Sequence, residues 1–401
     1  MHDEYPTQSG NGKNPPLSVK KLMKKKIVII GPAYPYRGGN PTFVTFVHDI
    51  LSKQFEVKIY NYKLLYPSFL FPGTTQFDKS EKTFKKAPSE RLVNSINPFN
   101  WINVARKLKK ENADLIVFNW WHPFFSFCHF TISLLSRSKY KGKILFITEN
   151  FISHEGHFID RVLTKLGLAN SSSFLALSSE VENDLNQLKK KRKVYRSELP
   201  IYSFYSDLEP QNKEEFGFAK DDIVLLFFGY VRKYKGLDIL LEAMPEIIKL
   251  DSKIKLLVVG EFYDDPEIYY SIIKKHNIES SVKIVNQFVP NEDIEKYYKA
   301  SDVVMLPYRS ATQSGILNLA YGFFLPVIAS NVGGFTEYID DRLTGILVGS
   351  DSPEEITKGV KQYLGLKDKT DFKGNIKNRV EGNQFNQLPV LFEQIISDSS
   401  K

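Results

Sequence analysis

One cysteine in 401 residues, Cys128, has no partner for an intramolecular disulfide, so nothing in the composition asks for an oxidising compartment. Its apolar neighbours Phe127 and Phe130 suit a buried inert thiol better than a nucleophile. No apolar run approaches the roughly 18 residues that a membrane span needs. The seven histidines are scattered without ligand spacing and there are no paired cysteines, so no metal site is expected. The spaced triple-glycine fingerprint of dinucleotide binding is missing from the chain, which turns the reading away from nicotinamide and flavin enzymes. Residues 1–23 are polar, with Pro, Gly and Asn, and lack the apolar stretch of a secretory signal. They read as a disordered leader, with folding starting near Lys26, and a cytoplasmic location is expected.

What the chain does have is enough apolar and aromatic content for a folded protein of two domains: 42% hydrophobic residues, 30 Phe and 21 Tyr. A net charge of +8 favours acidic partners in general, among them phosphates, an anionic membrane surface and nucleic acid. A nucleic-acid role wants a basic face interleaved with exposed aromatics. The basic run at 189–193 is short and reads as a solvated face, so no nucleic-acid partner is expected.

Short β-branched runs alternate with helical patterns twice along the chain, the signature of parallel α/β sheets. Strands are expected at 27–30, 57–60, 115–118, 144–148 and 174–176, then at 223–228, 254–259, 282–285, 303–306, 327–329 and 346–348. This divides the chain into an N-terminal domain over 24–205, a C-terminal domain over 206–385, and a tail over 386–401. Segment 367–387 is polar and poorly patterned. The tail recovers order: Leu388, Leu391, Phe392, Ile395 and Ile396 fall at helical spacing and form one apolar stripe. Helix 99–110 sets Trp101, Ile102, Val104 and Leu108 beside Arg106, Lys107, Lys109 and Lys110. That pattern suits an interfacial helix touching a membrane, and more often marks a helix packed on its own sheet.

Ligands of open parallel sheets bind beyond the carboxyl ends of the strands, and there the chemistry-bearing residues collect. Loop 227–236 contains Gly229, Arg232 and Lys235 between a strand and a helix, two cations where a helix offers free N–H groups to an anion. An ordinary basic turn has the same composition. Loop 307–315 carries Thr312, Gln313, Ser314 and Gly315 before another helix, either a plain N-cap or a second phosphate-binding end. Loop 329–337 pairs Gly333 and Gly334 and ends in Glu337, a hydroxyl acceptor or simply the start of a helix. In the first half, Tyr36, Arg37, Gly38 and Gly39 follow the first strand. Trp121, His122, Glu149, Asn150 and His154 stand beside later strands, where they could meet a sugar or its acceptor or serve structure alone. Asp264 and Asp265, ahead of Pro266, read as a helix cap rather than a metal pair.

At these residues the second half resembles the retaining GT-B enzymes of glycosyltransferase family 4, through 227–244, 256–260, 301–307, 326–337 and 344–348 in order. The first half is similar to a bacterial branch of that family at 31–39, 66–73, 120–125 and 149–155. The resemblance implies two Rossmann-like domains facing across a cleft, with the terminal helix crossing back to the first. It further implies transfer of a sugar from a nucleotide diphosphate donor to a glycan or lipid-linked glycan in surface polysaccharide biosynthesis, with no metal or other cofactor. Arg232 and Lys235 would hold the diphosphate, helped by Ser314 and Gly315, while Gly38 and Gly39 close over it. Glu149 or His122 would orient or deprotonate the acceptor, with Tyr36, Arg37, Trp121, Asn150 and His154 around it. One departure is pronounced. The family's paired glutamates, eight positions apart, fall at Ala311 and Leu319 here. That loss motivates a rival reading, a non-catalytic GT-B partner that binds a nucleotide or glycan.

Overall fold

The computed structural model describes residues 24–70, 75–80, 86–151, 158–202 and 213–399. The expected leader, the boundary at 205/206 and His154 lie outside these residues. Seven parallel strands build the first sheet: β1 (Lys26–Ile30), β2 (Glu56–Leu64), β3 (Ser89–Asn94), β4 (Leu115–Trp120), β5 (Ile144–Thr148), β6 (Ser173–Ala176) and β7 (Lys193–Arg196). Six more build the second: β8 (Ile223–Phe228), β9 (Ile254–Val259), β10 (Val282–Val285), β11 (Val303–Leu306), β12 (Val327–Ser330) and β13 (Gly345–Val348). Their orders are β3-β2-β1-β4-β5-β6-β7 and β10-β9-β8-β11-β12-β13. This is the two-domain GT-B arrangement that the resemblance implies.

The strands are apolar on both faces because helices cover both. Ile27 and Ile29 pack with Leu115 and Val117 under helix Gly39–Leu51, while Val28 and Ile30 pack with Ile116 and Phe118 on the opposite side. The second sheet is divided in the same way. Strands β3 and β7 were not expected, for a physical reason. Both are edge strands of mixed polarity, SERLVN and KVYR, without the apolar run that marks a strand covered on both faces.

Two expectations about helices change. Segment 367–387 is ordered as helix Phe372–Glu381 and a short 3₁₀ turn, Gln384–Gln387. Phe372, Ile376 and Phe385 anchor it in the core, a spacing too wide to show as a stripe. Helix Pro98–Lys110 turns Trp101, Val104 and Leu108 onto the first sheet, so the apolar face read as interfacial is core. The terminal stripe does what its spacing predicts. Helix Leu388–Asp398 sets Leu388, Phe392, Ile395 and Ile396 against Phe43, Val47 and Leu51 of the first domain. Asp398 accepts from Tyr195 Oη at 2.7 Å, and Glu393 pairs with Lys25.

Phe392 is fully buried at this junction. Phe392→Ala should lower unfolding stability by about 3–5 kcal/mol. Val390→Ala, at an exposed position of the same helix, should stay within about 0.5 kcal/mol of wild type. Urea unfolding followed by fluorescence compares the two.

Candidate active site

Strand order reverses between β1 and β4 in the first sheet and between β8 and β11 in the second. At those two points the loops after the strands part, leaving a crevice in each domain. The crevices face each other, and a cavity of about 430 Å³ lies between them. Tyr36, Arg37, Gly38 and Gly39 line it from the first domain, and Gly229, Lys235, Gln313, Ser314 and Gly315 from the second. Nine of the expected site residues are thus brought together.

Lys235 is the centre of the electrostatics. It closes the 3₁₀ turn Lys233–Lys235, ahead of Gly236, whose φ of 70° only glycine adopts easily. A side chain at Gly236 would put its Cβ 2.0 Å from the Pro307 carbonyl oxygen, so the turn is pressed onto the end of β11. Lys235 is buried, and burial first, then the charge of Arg232, brings its ammonium down to about pKa 7. No carboxylate pairs with it among the described residues. A Cβ at Gly229, where φ is 98°, would lie 3.2 Å from Nζ, so the bare glycine lets the cation rest against the backbone. Across the cavity, Ser314 caps helix Gly315–Gly322, its Oγ accepting from Leu317 N at 3.3 Å. Gly315 and Ile316 line the cavity, so the amino end of that helix, with its unsatisfied N–H groups, faces the same space as Lys235.

Arg232 stands at the rim rather than in the wall, its guanidinium 4.9 Å from the centre of the Tyr263 ring. Its charge is felt by Lys235 and, from the other domain, by His122. His122 Nδ1 accepts from Phe124 N at 3.1 Å, which leaves Nε2 to carry the ring proton. Desolvation of the ring holds its pKa below the ordinary histidine value, with Asp160 opposing and Arg232 reinforcing the shift.

Several expected site residues take other posts. Arg37 was expected to meet the acceptor; its Nη2 instead donates to Glu261 Oε2 across the cleft at 2.7 Å, with the guanidinium 4.3 Å from the Phe288 ring centre. Glu337 was expected at the donor. It lies outside the cavity, accepting from Ser179 N at 2.9 Å and pairing with Arg196, so it braces the two domains. The amino end of helix Ser179–Asn186 draws its carboxylate there. Thr312 donates to Asn150 Oδ1, and Gln313 Nε2 donates to the Glu149 carbonyl at 3.1 Å. Trp121 Nε1 donates to Tyr66 Oη at 3.0 Å, within a cluster of aromatic rings.

Glu149 sits behind the cavity wall. Asn119 Nδ2 donates to its Oε1 at 2.9 Å, and the Asn40 amide, oriented to suit its neighbours, donates to Oε2 at 2.9 Å. Burial pushes its carboxyl up to about pKa 7, against the pull of Asn119.

Sequence reasoning passed over Glu261, although it follows β9 at the carboxyl edge where every other motif was sought. It also passed over Phe46, Tyr202 and Ile316, an apolar wall that completes the cavity beside Ala311 and Leu319. Apolar residues in loops and helices give no signal that separates a cavity wall from core.

Residues 209–379 match the glycosyl transferases group 1 family. The match lies within the C-terminal domain. An uncharacterized glycosyltransferase of Methanocaldococcus jannaschii is 29% identical over 200 residues, 47% of this chain and 49% of that protein. The first curated relatives are matched over 32% to 49% of their length. Among solved structures, Anabaena HepE in complex with UDP is similar with a TM-score of 0.70 at 15% identity, over 93% of this chain and 99% of that one. The apo lipopolysaccharide outer core galactosyltransferase WaaB follows at 0.65 and 15%, over 92% and 99%. These likenesses extend across both domains and show the fold.

The raised Glu149 carboxyl carries a consequence for stability. Its folded pKa of about 7 lies above the ordinary 4.5, so the folded state binds this proton more tightly than the unfolded chain does. The stabilisation is complete below about pH 4.5 and is lost as pH rises through 7. Glu149→Gln should remove about 3 kcal/mol of pH dependence across that window, read from urea unfolding at a series of pH values.

Proposed function

We propose that the protein transfers a sugar, with retention of anomeric configuration, from a nucleotide diphosphate sugar to a hydroxyl of a glycan or lipid-linked glycan in surface polysaccharide assembly. The observation that carries this reading is the buried Lys235 ammonium facing the amino end of helix Gly315–Gly322 across the cavity between the domains. A cation kept from water and from carboxylates is costly by itself and favourable once a diphosphate arrives. As the bond to the sugar breaks, negative charge grows on the departing phosphate. In this reading Lys235 and the helix amino end would take it, with Arg232 from the rim, and pre-placed charges lose no reorganisation energy at that moment. The acceptor hydroxyl enters from the first domain and attacks on the face the leaving group vacates. Its proton passes to the departing phosphate, so the scheme needs no enzyme base and Glu149 acts as a positioning residue. HepE, a protein of the same fold, holds UDP, which supports the donor class.

A second reading has a specific observation behind it. Ala311 and Leu319, where the resemblance puts the glutamate pair, both line the cavity and offer no acceptor to a ribose or sugar hydroxyl. A GT-B partner that binds a nucleotide or glycan without turnover also fits that wall. Release of nucleoside diphosphate on incubation with donor and acceptor separates the two, and in the transferase reading it persists with EDTA present.

The binding site has its own test, thermal stability against UDP, GDP, ADP and dTDP sugars. One donor should stabilise the wild type, by about 2.7 kcal/mol at 100 times its dissociation constant. Arg232→Ala and Lys235→Ala should each weaken it about 10- to 100-fold, the range for losing a charge-assisted hydrogen bond. The dissociation constant should rise above pH 7, by about tenfold per unit, as the empty site's Lys235 loses its proton. A flat profile through pH 9 would remove Lys235 from the diphosphate site.

A further inference from the structure

Three helices lie side by side on the outer face of the first sheet: Pro98–Lys110, Ser126–Ser136 and Phe158–Gly167. The middle one, SFCHFTISLLS, contains no charged side chain apart from what His129 could carry, and His129 is buried. Its outward residues Phe127 and Leu134 are one heptad apart, and Phe127 is 57% exposed. Helix Phe158–Gly167 reverses the usual amphipathic arrangement. It turns its small residues Thr164 and Gly167 inward, and a Cβ at Gly167 would come 2.3 Å from the Trp120 ring. Its large apolar residues face out, with Phe158 80% and Ile159 67% exposed.

Charge is arranged around this apolar strip. The three helices hold one acidic residue, Asp160, whereas Arg106, Lys110, Arg161 and Lys165 are exposed on the two flanking helices and Arg137 just beyond the middle one. An exposed apolar strip bordered by cations is the composition of a surface that lies in a lipid headgroup layer.

We propose that this face docks the first domain on an anionic lipid surface. In a parallel sheet the covering helices run against the strands, so their amino ends, with Phe99, Phe127 and Phe158, lie at the strands' carboxyl edge. The cleft opens at that same edge. Docking there brings the mouth of the cleft to the level of lipid headgroups, where a lipid-linked hydroxyl is presented. The face stands apart from the donor site, so its test is independent of the transferase reading.

The experiment is co-sedimentation of the whole protein with vesicles of equal parts phosphatidylglycerol and phosphatidylcholine, beside vesicles of phosphatidylcholine alone. Binding is expected on the anionic vesicles, weakening with salt. Arg161→Ala with Lys165→Ala should lower the partition about 25-fold, at about fivefold per cation. Phe127→Ser with Ile159→Ser should lower it by at least as much. An unchanged circular dichroism spectrum and melting point in each variant verify that the fold persists. Absence of binding at low salt, equal binding to uncharged vesicles, or binding indifferent to all four substitutions would overturn the proposal. So would a wild-type dimer that Phe127→Ser and Ile159→Ser convert to monomers, because the face would then belong to a second copy.

Discussion

Every strand in both sheets runs parallel to its neighbours, and most of what this molecule can do depends on that constraint. Parallel strands place all their carboxyl ends on one edge, and the reversal of strand order opens that edge at a single point in each domain. When two such domains face one another, the two openings coincide. Loop 31–39 after β1 and the loops after β8 and β11 therefore meet in one cavity, although the first is far from the other two in the chain. The terminal helix fastens the arrangement. By packing on helix Gly39–Leu51 it ties the end of the chain to the wall that carries Gly38 and Gly39.

Within that frame the charges divide into satisfied and unsatisfied ones. Arg37 and Glu261 neutralise each other across the cleft at 2.7 Å, and Asn291 of the second domain donates to Asp78 and Ser80 of the first. Behind the cleft, Glu337 meets Arg196 and Ser179, and Tyr338 Oη donates to the Leu177 carbonyl at 2.7 Å. Such contacts hold the two domains together without drawing on Lys235 or Arg232. Lys235 has no carboxylate partner among the described residues, and burial, reinforced by the charge of Arg232, lowers its pKa in a way that a bound anion would reverse.

The fold was legible because its signal is periodic and dense. Both sheets, most of their strands and the terminal helix follow from apolar spacing alone. The unforeseen pieces carry mixed polarity. Strands β3 and β7 gain their order from neighbours already in place, and helix Phe372–Glu381 is held by a few widely spaced anchors. At the site, glycines and cations in loops after strands could be named from the sequence. Partners could not. Nothing in the order of residues says that Arg37 spans to Glu261, that Glu337 turns toward a neighbouring helix end, or that Asn40 stands before Glu149. The first two pairings arise only where the domains meet and the third only once the first domain has folded, and exposure is equally hidden: the helix read as interfacial buries its apolar face, while the neighbouring Ser126–Ser136 shows one.

The apolar wall of the cavity follows from the same accounting of partners. Phe46, Tyr202, Ile316, Ala311 and Leu319 present mostly carbon to the cavity, and the Tyr202 hydroxyl lies near Gly315. A ligand hydroxyl turned toward Ala311 or Leu319 exchanges its water for no partner, at a cost of about 1–3 kcal/mol. A methyl group, a deoxygenated carbon or the flat face of a base has no such cost there and gains from burial. The two missing carboxylates thus do more than remove an interaction. They reverse which edge of a ligand the wall prefers, while the opposite end of the cavity, with Lys235, Gly229 and the helix terminus, stays polar and cationic. The cationic end and the apolar wall can therefore change independently in this fold, because they rest on different loops of the same sheet edge.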